Sequence, residues 1–402
     1  MGPALSRWRA LAFLSLAEFL AMGLWFGVSA VAPQIAVEWR LTSSTAAWLT
    51  LAVQLGFVFG TLVSALLNLA DVIRARHLFA LCAFLGAATN ALLAWKTQSV
   101  AFAIVLRFLT GAFLAGVYPP GMKIIATWFR EGRGLALGVL IAALTLGKAS
   151  PYLVNAIGSG SWRVNVGILS LLAALGGVIV ILFVRDGPYA LANQPFDPSQ
   201  IVKVFRNRGV RLANFGYFGH MWELYAMWTW VPAMMRASFA RTGDAPALAE
   251  AASFAVIGSG AVGCIAAGRL ADRLGRPVVA GAAMAISGAC CLVVGFAYGG
   301  PPAVLLAIAV VWGASVVADS AQFSASVTEF GDPRYLGTAL TLQTCIGFLI
   351  TTASIRLVPL LVTAVGWRWA FAFLAPGPFL GVLAMARLHA LTSPRPSIPQ
   401  SG

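Results

Sequence analysis

Four sets of polar residues stand at helical spacing inside otherwise apolar stretches of the chain. Glu18, Met22, Trp25 and Ser29 follow i, i+4, i+7, i+11, and Thr145, Lys148, Tyr152 and Asn155 make a second set. His220 and Glu223, three apart, share a face with Met227 and Trp230, while Ser315, Asp319, Gln322 and Ser326 form a continuous polar stripe. Two arginines, Arg107 and Arg356, also interrupt apolar runs. A charge at the centre of a bilayer costs about 2.5–3.5 kcal/mol on insertion scales, so such groups turn toward a cavity or a partner. Arg107, Lys148 and Arg356 are suited to hold an anion. Glu18, Glu223 and Asp319 can take up and release protons, as can His220, whose ordinary pKa is about 6.5.

Each of these residues also has a structural reading. Glu18 and Arg107 can pair between neighbouring helices, and Lys148 can serve as the partner of Glu18 or Glu223. Glu223 can pack in a Trp-rich wall, His220 can be a satisfied neutral side chain, and Arg356 can snorkel to the interface. Glu329 suits a gate or a helix turn. Trp39, Trp48, Trp95 and Trp367 read as belt or wall residues, whereas Trp25 and Trp228 are candidates to face a substrate. Enzyme chemistry finds no support. The five cysteines lie in apolar runs without metal-ligand spacing. Leu146-Gly147-Lys148-Ala149 lacks the upstream glycine and the following Ser/Thr of a phosphate loop. No catalytic residue, cofactor or metal is expected.

The elements that position these groups follow from composition. Of 402 residues, 60% are hydrophobic and only 10% are charged, and the mean hydropathy is +0.86. A soluble surface needs about a quarter of its residues charged. Apolar runs long enough to cross a hydrocarbon core about 30 Å thick recur near 10–32, 46–69, 77–95, 99–121, 134–157, 163–184, 210–235, 248–271, 278–298, 302–327, 337–362 and 367–389. The expected fold is therefore an all-α membrane protein of twelve transmembrane helices in two six-helix, pseudo-symmetric bundles. Residues 1–184 form the first bundle, 185–211 a cytoplasmic linker including Asn193-Gln194-Pro195, and 212–402 the second bundle. The N-terminal run, with Glu18 inside it, reads as a retained span rather than a cleaved leader.

The net charge of +14 does not point to nucleic acid, because the basic residues sit in short clusters between apolar runs. Of the 27 Lys and Arg, 18 fall on the side of the N-terminus, 6 on the other side and 3 within spans. The positive-inside rule then places both termini in the cytoplasm of a multi-pass protein of the inner (plasma) membrane. The halves also repeat: Asp71 returns as Asp272, Arg133 as Arg334, Pro33 as Pro232, and Trp162-Arg163 as Trp367-Arg368, at separations of about 200 residues.

The turn after the eighth span reads Gly268-Arg269-Leu270-Ala271-Asp272-Arg273-Leu274-Gly275-Arg276. It resembles the signature loop of the major facilitator superfamily. Its first-half counterpart, around Asp71, Arg74 and Arg76, keeps the acid and the bases but lacks the glycines. Arg107-Phe108-Leu109-Thr110-Gly111 is similar to the superfamily's Arg-xxx-Gly pattern on the fourth span, and Arg130-Glu131-Gly132-Arg133-Gly134 fits the turn after it. The resemblance implies a central cavity lined by spans one, four, seven and ten, and alternating access. It assigns Asp71, Arg74, Gly268, Asp272, Arg273, Gly275 and Arg276 to a cytoplasmic gate. In span five, Gly147 and Pro151 fit the antiporter pattern, but its closing glycines are missing. The Gly134–Gly138 region is closer to nitrate-like and organic-anion members.

The sequence therefore predicts a monomeric, proton-coupled secondary transporter of a small organic or inorganic anion. Glu18, Arg107, Lys148, His220, Glu223, Asp319, Gln322 and Arg356 are the candidates for substrate binding or proton coupling. Two other readings compete with this one. One is a proton-coupled exporter of hydrophobic or cationic compounds using Glu18, Asp319 and the aromatic wall. The other is a non-transporting receptor or assembly factor on a carrier scaffold.

Overall fold

The computed structural model describes residues 3–96, 99–158, 160–189 and 196–392. Span one is Pro3–Ala30, span two Ser43–Leu66, span three Ala75–Lys96, span five Arg133–Ile157 and span six Trp162–Phe183. Span seven is Arg208–Thr242, span nine Arg276–Val293, span eleven Leu336–Val365 and span twelve Pro376–Thr392. Three spans are broken: four into Val100–Leu114 and Tyr118–Trp128, eight into Pro246–Gly258 and Gly260–Leu274, and ten into Pro302–Ala318 and Ser320–Phe330. No strand occurs among the described residues. Asn193, Gln194 and Pro195 of the expected linker lie outside the described residues, and Ile201–Arg206 further along it is a short helix.

Among the described residues, eleven helical segments are long and apolar enough to cross a membrane. Span seven is the exception although it has 35 residues, because it carries Asn214, His220 and Glu223, all of them buried. It is also longer than the expected 210–235. Asn207 starts it by accepting a hydrogen bond from the Val210 amide, and Gly243 in the left-handed region ends it. The outer surface is apolar: Leu171, Val262 and Leu380 are 72%, 70% and 65% exposed, which suits hydrocarbon and not water.

Span one packs on five and six, two on four, and three on four and six. In the second half, seven packs on eleven and twelve, eight on ten, and nine on ten and twelve. The two bundles meet where span five lies along span eight and span two along span eleven. The pattern Arg107…Gly111 has a clear physical job in this packing. A methyl on Gly111 would fall 2.1 Å from the Val53 carbonyl, so only glycine lets span two lie against span four. Arg107 is fully buried and donates to the carbonyls of Leu49 (3.2 Å), Leu24 (3.0 Å) and Trp25 (2.6 Å) and to Asn90 Oδ1 (3.3 Å). Its five fixed donors thus tie spans one, two and three to span four. The pairing of Glu18 with Arg107 does not form, because the guanidinium is already filled by carbonyls.

On the face away from the linker, helix Ala32–Glu38 continues span one and delivers Glu38 to the start of span six. Glu38 accepts from Arg163 Nη2 (2.6 Å) and Nη1 (2.8 Å) and from Trp162 Nε1 (2.6 Å). The hydrogen bonds from Arg163, and then from Trp162, hold its carboxyl at about 2, below the ordinary 4.5.

Two outcomes follow. Gly111→Val should destabilise the fold by about 1–3 kcal/mol through overpacking, read as a lower Tm in detergent; an unchanged Tm contradicts the close approach. Glu38 has a depressed folded pKa, so its latch is fully present above pH 4.5 and lost as pH falls toward 2. A pair this exposed is worth about 1 kcal/mol at most. The Tm gap between wild type and Glu38→Gln should therefore be small, constant at neutral pH, and should close on acidification.

Candidate functional site

A cavity of about 90 Å³ lies between the bundles, lined from spans one, two, four, five, seven, ten and eleven. Its wall is largely aromatic, with Trp25, Phe57, Tyr118, Tyr217, Tyr225, Trp228 and Phe348 facing in. The rings touch one another: Phe57 and Phe348 centroids are 4.5 Å apart, Tyr225 and Phe348 5.0 Å, and Trp25 and Tyr225 5.5 Å.

Lys148 is buried in this wall at 2% exposure. Its Nζ donates to Tyr225 Oη at 2.5 Å. It also sits over the rings of Trp25 (4.0 Å), Tyr225 (4.7 Å) and Trp228 (5.3 Å). Neither Glu18 nor Glu223 forms an ion pair with it among the described residues, although Glu18 acts on Lys148 through space. A tyrosine hydroxyl and three ring faces, which attract cations through their quadrupoles, surround the ammonium instead.

His220 and Ser320 also line the cavity. His220 Nδ1 is 2.8 Å from Asp319 Oδ1, and its Nε2 is 2.9 Å from Ser320 Oγ. Asp319 is the junction between the two halves of span ten. The second half begins at Ser320, and the second half of span four begins at Tyr118, 202 residues earlier. Both starting residues face the cavity. Each second half starts at the cavity, directly after the first half ends at Leu114 or Ala318, so the opposed helix ends largely offset each other there.

The remaining predicted residues lie elsewhere. Glu223 is behind the wall, accepting from Trp312 Nε1 (2.6 Å), Ser287 Oγ (2.9 Å) and Cys291 Sγ (3.0 Å). It does not share the cavity face with His220. The face that opens inward runs Tyr217, Met221, Leu224, Trp228, and a residue three positions on from His220 is rotated away by about 60°. Glu18 is fully buried and does not line the cavity, and its carboxylate oxygens have no hydrogen-bond partner among the described residues. A methyl on Gly121 would come within 2.7 Å of Glu18 Oε2. Gln322 is buried without lining the cavity, Arg107 is engaged with carbonyls as described, and the Arg356 guanidinium lies 5.9 Å from the Trp48 ring between spans eleven and two.

The sequence reading missed Tyr225 and Ser320. Tyr225 stands 200 residues after Trp25, within the spacing of the repeat, and that signal could have found it. Toward the face away from the linker, Ser29 and Thr50, hydrogen-bonded at 2.7 Å, line a second pocket of about 230 Å³ with Trp230 and Arg236. Trp25, one helical turn from Ser29, and Trp228, two residues before Trp230, stand between the two spaces.

At the linker face, Gly275 takes φ +86° to end span eight. Asp272 lies beside the first turn of span five, where a methyl on Gly134 would be 3.6 Å from its Oδ1. A carboxylate there faces unsatisfied amides and the positive helix end. Gly268 brings its backbone close to Gly134. Arg276 pairs with Glu329 at 2.5 Å, joining the start of span nine to the end of span ten. Arg74 and Arg273 are exposed, and the side chain of Asp71 lies outside the described residues.

The fold has solved counterparts. A crystal structure of a mutant of the nucleoside transporter NupG superposes with a TM-score of 0.72 over 94% of this chain and 99% of that one, at 15% identity. An uncharacterized MFS-type transporter of Mycobacterium tuberculosis is 27% identical over 317 residues, covering 74% of this chain and 67% of the relative. An uncharacterized transporter of Escherichia coli K12, YgaY, is 30% identical over 184 residues, 44% of this chain and 43% of its own. The family model for the Major Facilitator Superfamily matches residues 14–350 and 213–402. With its signature loop, paired bundles and central cavity, this multi-pass membrane protein belongs to the Major Facilitator Superfamily.

Proposed function

We propose that the protein is a secondary active transporter that carries a small anion together with protons by alternating access. The observation that carries this reading is Lys148, whose ammonium faces the cavity with no carboxylate in contact. Leaving water costs a buried ion several kcal/mol, and each desolvated ring contact returns only about 2 kcal/mol. An anion that enters completes the site. The exporter reading would need a carboxylate on the cavity wall, and no Asp or Glu lines it among the described residues.

Proton coupling is assigned to His220 and Asp319. The charged groups around His220 are Asp319 beside it, Lys148 on the cavity wall, and Glu223 behind it on the same span. An imidazolium answers Asp319 and raises the positive potential of the cavity, so a bound proton strengthens anion binding, and by linkage a bound anion strengthens proton binding. Deprotonation then favours release. Spans five and eight close the linker face, and the Trp25–Tyr225–Trp228–Phe348 layer closes the other. Residues 1–184 and 212–402 are proposed to rock as units joined by the 185–211 linker. The excess of basic residues on the linker face supports a cytoplasmic orientation of that face in the inner membrane.

Removing a buried charge that answers a ligand costs about 2–5 kcal/mol. Lys148→Met should therefore weaken protection against thermal unfolding by small carboxylates or nitrate about 30-fold or more in effective affinity. With no anion added, the same variant should be as stable as wild type or more so, since it no longer buries an ammonium. A variant that keeps the anion response sinks the anion reading. Asp319→Asn should flatten the pH dependence of proteoliposome uptake; an unchanged pH profile removes this pair from coupling.

A further inference from the structure

Outside the central cavity, an apolar groove of about 660 Å³ lies on the lipid-facing side of the second bundle. Its floor is span seven, through Leu212, Phe215 and Trp222, and its walls are span eleven at Ala353 and span twelve at Leu383. The groove exists because spans eleven and twelve both pack on span seven but scarcely touch each other. One end is blind, at mid-membrane, where the backbones of Gly219 and Gly377 press together. The other end opens at the linker face beside Arg387. Arg387 is exposed, and no acidic side chain pairs with it among the described residues.

The dimensions match one leaflet. Leu212 to Trp222 is ten residues of helix, about 15 Å at 1.5 Å per residue, which is half of a hydrocarbon core about 30 Å thick. The volume falls within the range of about 300–1,000 Å³ typical of ligand sites. Phe215 and Leu383 are 52% and 55% exposed, so the groove is open sideways to the bilayer along its length. A guanidinium at headgroup depth above an acyl-lined channel is complementary to a phosphate that bears an acyl chain.

We propose that this groove is a binding site for an anionic phospholipid of the linker-face leaflet. One acyl chain lies along span seven between spans eleven and twelve, and the headgroup phosphate sits on Arg387. Because span seven carries His220 on its opposite side, the lipid props the helix that bears a cavity wall.

The test uses purified full-length protein, delipidated in mild detergent and incubated with phosphatidylglycerol or phosphatidylcholine of identical chains. Native mass spectrometry counts bound lipid. Wild type should retain phosphatidylglycerol about fivefold better than phosphatidylcholine, the worth of roughly one basic residue at an anionic headgroup. Arg387→Gln should bring the two lipids to the same level, whereas Arg206→Gln, an exposed charge on the linker helix, should leave the preference intact. Ala353→Trp, which fills the groove from its exposed wall, should lower retention of both lipids. Equal retention of the two lipids by wild type overturns the proposal, as does an undiminished preference in Arg387→Gln. Since Arg387 is an exposed side chain, its substitution reads lipid binding without depending on whether Ala353→Trp folds.

Discussion

An ammonium buried at mid-membrane needs an answer from the protein around it, and among the described residues the groups in contact with Lys148 are a tyrosine hydroxyl and three ring faces, with the Glu18 charge acting from further off. Much of the surrounding architecture serves that arrangement. Gly147 lies so close to span one that a methyl would meet the Phe19 carbonyl at 2.4 Å, and this contact fixes the depth of Lys148 beside Trp25. Arg107 ties the carbonyls of Leu24 and Trp25 to span four, which sets the height of the Trp25 ring. Span seven contributes Tyr225 and Trp228 from the other bundle, so the cage spans the interface between the halves. Any relative movement of the bundles must change the environment of Lys148. A cation whose surroundings depend on bundle position is a natural point at which binding and conformational change can be joined.

The twofold repeat gives the site its polarity. Spans four and ten break at corresponding depths, and their second halves start at Tyr118 and Ser320 on the cavity. Such breaks at mid-membrane expose backbone groups of both signs beside the cavity, where Tyr118 and Ser320 line it. The sequences at the two breaks differ. Pro119 and Pro120 open the half-helix of span four, where missing amides are tolerated, whereas Asp319 sits at the break in span ten and holds His220. Symmetry thus positions two corresponding breaks, and the one in span ten carries the Asp319–His220 pair.

Span count, half-to-half repeat and the special loops were legible because charges and glycines are rare in this chain and each one marks a position. Arg107, Lys148, His220 and Asp319 could be singled out for the same reason. The faces of the helices were much harder to read. In a soluble helix, apolar residues mark the buried side, but here lipid and protein interior are both apolar, so period alone does not orient a span. Glu223 and His220, three residues apart, were placed on one face although one belongs to the cavity and the other to a Trp312–Ser287–Cys291 pocket behind it. The breaks at Val117 and Asp319 left little trace in hydropathy, since tertiary packing and not local propensity determines them.

The central claim is that the cavity between the bundles is an anion site organised by Lys148. The most direct measurement is anomalous X-ray scattering from crystals of the protein soaked separately in bromide and in rubidium. The account predicts a bromide peak in contact with Lys148 Nζ inside the aromatic cage, and no rubidium there. Rubidium in the cavity, or bromide confined to the surface arginines, would contradict it.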